Sequence, residues 1–231
     1  MPRDAFRNIS IIGCDGAGKT ALAEAFVRVG APERGGKLDF EPEENKRNFS
    51  VTTHVTFVNW KGTTINVLDT PGFSNFLAES ANMMGMTEAS LLVFSATGGM
   101  KHMTERFWFM AEDLKQPLAF FINQMDIEDA NFDKAVKEIE DEIKNKLLIC
   151  QIPIGSDNQH RGIIDLLSNK AYFSEGAFGK LVEKEIPANL ADDAATYRMG
   201  LIESIAECDD DMLAKYLEGT EPTQEELEKT F

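Results

Sequence analysis

The run Gly13-Cys14-Asp15-Gly16-Ala17-Gly18-Lys19-Thr20 constrains the chain more than any other feature, because it has the spacing G-x-x-x-x-G-K-[ST] of a phosphate-binding loop. Its surroundings fit that reading. Asn8 to Ile12 is a run of strand formers ending at Gly13, and Leu22, Ala25, Phe26 and Val29 recur afterwards at helical spacing. A strand, a glycine loop and a helix in that order aim backbone N–H groups and the helix N-terminus at the α- and β-phosphates of a nucleotide. Lys19 is expected to reach the β- and γ-phosphates, and the Thr20 hydroxyl to ligate magnesium.

The rest of the 231 residues supplies the sheet that such a loop needs. A polar, Gly- and Glu-rich stretch from Gly30 to Asn48 has no sustained periodicity and reads as a long mobile loop. Thr52 to Trp60 and Thr63 to Leu68, separated by Lys61-Gly62, predict a hairpin. A helix is expected from about Asn75 to Met86, a buried strand over Ala89 to Ser95, and a helix with Met103, Phe107, Met110 and Leu114 on its apolar face. Leu118 to Ile122 is a fifth apolar strand, followed by a helix carrying Val136, Ile139 and Ile143. Alternating strands and helices predict an α/β P-loop NTPase G domain, a mostly parallel sheet covered on both faces, with the one antiparallel hairpin at its edge. Residues 1–146 form this core. From 147 to 231 the texture changes to Leu147 to Ile154, short segments, a helix from about Asn189 to Glu207 and the solvated Asp209-Asp210-Asp211 cluster, which predicts a small α+β inserted subdomain.

Two further motifs complete a nucleotide site. Asp69-Thr70-Pro71-Gly72, followed by Phe73, stands at the end of a strand, where a carboxylate can hold a magnesium-bound water and the Gly72 N–H can approach the γ-phosphate. Asn123-Gln124-Met125-Asp126 decides the base. The Asp126 carboxylate can accept from the N1–H and 2-amino group of guanine, and adenine offers neither donor, which disfavours an ATPase or kinase. Ser50, at the close of the long loop, is the candidate for a second magnesium hydroxyl that orders the loop when the γ-phosphate is present. GTP or GDP with Mg2+ are the expected cofactors.

Charge and cysteine usage narrow the setting. A net charge of −16 excludes independent clamping of nucleic acid, since that affinity comes from clustered Lys and Arg. No apolar run approaches the length of a membrane span, and the N-terminus lacks the apolar stretch of a secretory signal. A cytoplasmic monomer that does not enter membranes is expected. Cys14, Cys150 and Cys208 read as reduced thiols, and His54, His102 and His160, none at metal-ligand spacing from another, as surface or satisfied structural histidines.

These motifs, with Gln151-Ile152-Pro153-Ile154-Gly155 and Leu201 to Glu207, resemble bacterial elongation factor G along essentially the whole chain. The Asp39-Phe40-Glu41-Pro42-Glu43-Glu44 run resembles the elongation factor G-like paralogues in particular. The resemblance implies a ribosome-associated translational GTPase, with the residues from 147 onward as the subdomain that meets the ribosomal stalk, and a chain that stops before the last guanine-binding loop. Four departures accompany it. Phe73 stands where the family has the histidine that positions the attacking water; losing such a group costs about 10²–10⁴-fold in rate, so binding is expected to survive and hydrolysis to slow. Gln124 replaces a lysine whose stem covers the guanine face, Ser50 replaces a threonine, and the last loop is absent. No catalytic residue is therefore assigned. The alternative to a hydrolase is a nucleotide-dependent ribosome-binding regulator.

Overall fold

In the computed structural model, residues 5–30, 37–47, 49–97, 102–175, 180–220 and 222–231 are described. They pack as two units: residues 1–124 with 133–144, and residues 125–132 with 145–231.

The first unit is built on five strands, β1 (Phe6–Gly13), β2 (His54–Trp60), β3 (Thr63–Asp69), β4 (Ala89–Ser95) and β5 (Leu118–Asn123). Their order is β2-β3-β1-β4-β5. β1 runs parallel to β3 and β4, and β4 parallel to β5, while β2 pairs antiparallel with β3 from His54↔Asp69 to Trp60↔Thr63. The expected sheet and its edge hairpin are both present. Lys61 (φ 45°) and Gly62 (φ 83°) both adopt positive φ in the two-residue turn, matching the right-handed twist of the strands they join.

Alternation along the strands sends neighbouring residues to opposite faces. On one face Ile11, Val67 and Val93 pack with Ala23 and Val27 of helix α1 (Lys19–Gly30). On the other, Ile12 and Leu92 pack with Met84 of α3 (Leu77–Met84) and with Phe107 and Ala111 of α4 (His102–Leu114). Phe107 is fully buried with Met103 and Met110 packed beside it, so the Met and Phe stripe of α4 is core, whereas Leu114, expected on the same face, is exposed in the last turn; burying a side chain such as Phe107 contributes about 1.5–3 kcal/mol. α5 (Phe132–Ile143) buries Ala135, Ile139 and Ile143.

Three local expectations change. The stretch read as a structureless loop contains a six-residue helix, α2 (Pro42–Arg47), whose Glu43 and Glu44 favour the positive end of the helix dipole; residues 31–36 and 48 of that stretch lie outside the described residues. Val29 is exposed, while Leu22 and Phe26 pack as expected against the core, whose fully enclosed α1 residues are Ala23 and Val27. The helix after Gly72 opens as a 3-10 turn, Ser74–Phe76, before α3 begins.

The second unit holds an antiparallel sheet in the order β6-β7-β8-β9, made of β6 (Gln151–Ile154), β7 (Gly162–Asp165), β8 (Lys170–Glu175) and β9 (Lys180–Lys184). Residues 147–150, read as part of a strand, have no regular structure. Ile152, Ile154, Ile164 and Ala171 from the sheet meet Ala194, Leu201, Ile202 and Ile205 of α6 (Ala191–Ala206), Met212 of α7 (Asp210–Leu217) and Leu227 of α8 (Gln224–Thr230). Asp209 caps α7, its carboxylate accepting from the Met212 N–H at 2.9 Å.

Candidate functional site

β1 ends at Gly13, and the chain turns through Gly13 (φ 142°), Gly16 (φ 76°) and Gly18 (φ 92°) before α1 starts at Lys19. This places the loop at the C-terminal edge of the parallel strands, where α/β sheets bind ligands. Asp15 is exposed. Cys14 is buried, its thiol 3.2 Å from the Thr104 hydroxyl. Lys19 is 6% exposed, and its ammonium donates to the Cys14 carbonyl at 3.0 Å, lying across its own loop. Burial pushes the Lys19 ammonium below its ordinary pKa, an effect that Asp69 partly offsets.

Asp69, the last residue of β3, is fully buried and neither of its carboxylate oxygens has a hydrogen-bond partner among the described residues. Burial pushes its pKa up to about 6, against the opposing influence of the Thr20 hydroxyl and the Lys19 ammonium. An unpartnered buried carboxylate is costly by itself. The Thr20 and Ser50 hydroxyls lie 3.1 Å apart, and the Ser50 hydroxyl also donates to Asp39 Oδ1 at 2.8 Å. Two hydroxyls and an orphaned carboxylate are a hard oxygen set of the type magnesium takes, so the residues fit that ion.

The remaining motif residues divide into those that face the loop and those that brace it. A Cβ on Gly72 would fall 2.3 Å from Lys19 Nζ and 2.7 Å from the Asp15 nitrogen, so only glycine allows this approach. The Thr70 hydroxyl donates to the Ile11 carbonyl at 2.8 Å, and the Pro71 carbonyl accepts from Ser80 at 2.8 Å; Thr70 anchors the turn to β1 and Pro71 anchors it to α3. The Phe73 ring is 37% exposed, and its centroid lies 4.6 Å from that of Phe49.

Asn123 ends β5, and its amide donates to the Ala17 carbonyl at 2.8 Å. Gln124, with φ 62°, donates to the Gly16 carbonyl at 3.0 Å. The two amides tie the base motif to the phosphate loop, a role that the residue types alone did not disclose. Met125 and Asp126 belong to the second unit; the Met125 carbonyl accepts from the Asp157 N–H at 2.9 Å, and Asp126 is exposed. Asp39, Glu44 and His54 had no site role in the sequence reading, yet Asp39 accepts from Ser50 and the His54 ring stands 3.8 Å from Asp39 and 3.3 Å from Glu44. The inward alternation of His54, Thr56 and Val58 along β2 was the available signal for His54.

A parallel sheet whose first strand ends in this glycine loop, with a buried carboxylate beside the loop lysine, defines a P-loop nucleotide-binding domain. The sequence profile of the elongation factor Tu GTP binding domain matches residues 4–221. The chain belongs to that family of GTP-binding domains. It is 34% identical over 224 residues, 96% of its length, to a Thermotoga maritima protein described as an elongation factor G-like protein, of which it covers 32%. A crystal structure of a Thermus thermophilus protein superposes with a TM-score of 0.88 at 30% identity, over 97% of this chain and 35% of that one. The chain thus spans about a third of the length of these relatives. No helix among the described residues is long and apolar enough to cross a membrane, and the three cysteines are free.

Proposed function

We propose that this chain binds GTP and GDP with magnesium and serves as the nucleotide-dependent switch of a ribosome-associated elongation factor, coupled to translocation. The observation that carries the reading is the buried, unpartnered Asp69 carboxylate at the end of β3, next to Thr20, Ser50 and Lys19. Thr20, Ser50 and Asp69 would hold magnesium, which when bound neutralises phosphate charge. Lys19 and the loop N–H groups bind the phosphates, the Gly72 N–H senses the γ-phosphate, and Asp126 selects guanine. Ser50 leaves Asp39 when it turns to the nucleotide side, which makes the loop ahead of β2 the moving part. The test is displacement of fluorescent GDP from the chain. GTP and GDP compete in a magnesium-dependent manner and ATP does not; equal displacement by ATP overturns the guanine assignment.

One observation favours a second reading, a ribosome-binding regulator that hydrolyses slowly. Phe73 offers no hydrogen bond to water, and its ring packs against Phe49. Phosphate release by the full-length protein on ribosomes separates the readings: turnover comparable to elongation factor G removes the regulator, and tight GTP-dependent binding with negligible release removes the hydrolase.

A further inference from the structure

Apart from the nucleotide site, the first unit brings Asp39 and Glu44 together around the imidazole of His54. Glu44, on α2, is 1% exposed, and His54, at the start of β2, is 5% exposed. Among the described residues no lysine or arginine pairs with Glu44, and neither His54 ring nitrogen has a hydrogen-bond partner. His54 Nε2 stands 3.3 Å from Glu44 Oε2, and Nδ1 3.8 Å from Asp39 Oδ1. The imidazole is therefore not the satisfied structural histidine expected from its isolation in the sequence. The buried Glu44 carboxylate thus has backbone donors but no cationic partner, and the buried imidazole has no hydrogen-bond partner among the described residues, whereas such groups ordinarily have one.

We propose that Asp39, Glu44 and His54 form a second cation site, separate from the Thr20–Asp69 magnesium position, that takes a borderline transition ion of the zinc type. One ligand atom from each residue lies within 4.8 Å of the others, a span that one ion with bonds of about 2.0–2.2 Å can gather by small side-chain shifts. The imidazole selects against magnesium and calcium, which prefer all-oxygen shells. The ligands are also held from behind. Glu44 Oε1 accepts from the N–H groups of Val51 (3.0 Å) and Thr52 (3.4 Å), and Oε2 from that of Glu41 (3.3 Å). The His54 ring packs edge-on against Phe40 at 5.1 Å. Such support fixes ligand orientation. Three protein ligands leave a fourth position for water.

The site reaches the nucleotide loop through Asp39, whose carboxylate also accepts from the Ser50 hydroxyl. An ion drawn to Asp39 competes with Ser50 for that carboxylate, so occupancy biases where Ser50 rests. The site itself needs no nucleotide, and in its test GDP with excess magnesium serves only to keep cobalt off the Thr20–Asp69 position.

Cobalt(II) is the probe, added to the chain saturated with GDP and excess magnesium. A four-coordinate site with one nitrogen ligand gives intense visible bands, whereas cobalt replacing magnesium at an all-oxygen, six-coordinate position gives weak ones. The expected result is intense bands that zinc abolishes and that His54→Gln and Asp39→Asn each lose. Circular dichroism establishes that the variants fold, and Asp39, the more exposed residue, covers a failure of His54→Gln to fold. The chain has only three histidines, so imidazole nitrogen spectra give an answer in the unaltered chain: zinc shifts the His54 signals and leaves His102 and His160 in place. Absence of intense bands, their persistence in either folded variant, or His54 signals that respond to pH but not to zinc overturns the proposal.

Discussion

The rings of Phe49 and Phe73 meet at 4.6 Å with their planes tilted by 35°. One precedes Ser50 and the other follows Gly72, so an apolar contact joins the two segments that carry the proposed magnesium hydroxyl and γ-phosphate sensor. An aromatic pair adds about 0.5–1.5 kcal/mol beyond area burial. The contact holds the Ser50 segment near the phosphate loop without offering water a hydrogen bond. Phe73→His places an imidazole at that position. Ribosome-stimulated phosphate release by the full-length variant is expected to rise by about 10-fold or more, toward the 10²–10⁴-fold typical of a positioned acid or base. An unchanged rate would mean that turnover is limited elsewhere.

Lys19→Ala removes the buried cation to which the proposal assigns the phosphates. Charge-assisted hydrogen bonds contribute roughly 1.5–3 kcal/mol each, and Lys19 is expected to serve more than one oxygen. GDP affinity, measured by fluorescence titration, should fall by at least about 100-fold; unchanged affinity would contradict the role of the loop.

Asp69 links stability to pH in the metal-free chain. Its folded pKa, about 6, lies above the ordinary carboxylate value of about 3.9. The native state therefore holds a proton that the unfolded state has lost over that window, and stability falls as pH rises through it. Above pH 6 the loss amounts to roughly 3 kcal/mol. Asp69→Asn without magnesium should therefore raise Tm at pH 7 and leave it nearly unchanged at pH 4. A variant less stable than the parent at pH 7 would argue against an uncompensated charge there.

The Asn123 amide and Ala17 carbonyl make a neutral hydrogen bond between β5 and the phosphate loop. Its loss in Asn123→Ala leaves the acceptor without its partner, at about 1–3 kcal/mol. GDP and GTP affinities should fall together, with no gain for ATP. In contrast, Asp126→Ala should erode the preference for guanine over adenine nucleotides by at least about 100-fold. Competition titrations distinguish these patterns, and a change in base preference from Asn123→Ala would contradict a bracing role.

The sheet was legible because its signals are local and redundant. Ala89 to Ser95 is a continuous run of buried-strand residues between turns, and β4 occupies those positions. The phosphate loop was equally legible, since a glycine, a lysine and a hydroxyl at fixed spacing leave few alternatives. Glu44 was not: it sits in a run of acids, Glu41, Glu43 and Glu44, of which the first two are exposed and the third is buried, a distinction set by tertiary packing on His54. Gln124 was read for its stem, yet its amide serves the Gly16 carbonyl, because the backbone at φ 62° turns it toward the loop. Val29 has the right spacing for a core residue but comes in the last turn of α1, where it is exposed.

The β2–β3 hairpin has a consequence for engineering. Between Ser50 and Asp69 the chain runs only through these two strands and the Lys61-Gly62 turn, with His54 paired opposite Asp69. The turn lies at the far end of the ladder from the His54↔Asp69 pair. Opening the chain between Lys61 and Gly62 would leave each strand its hydrogen-bonded partner but sever the covalent tether between the two halves of the site. Reassociation of β2 with β3 would then become a readable event, and ligand-driven pairing of the two ends could report nucleotide as a split sensor does.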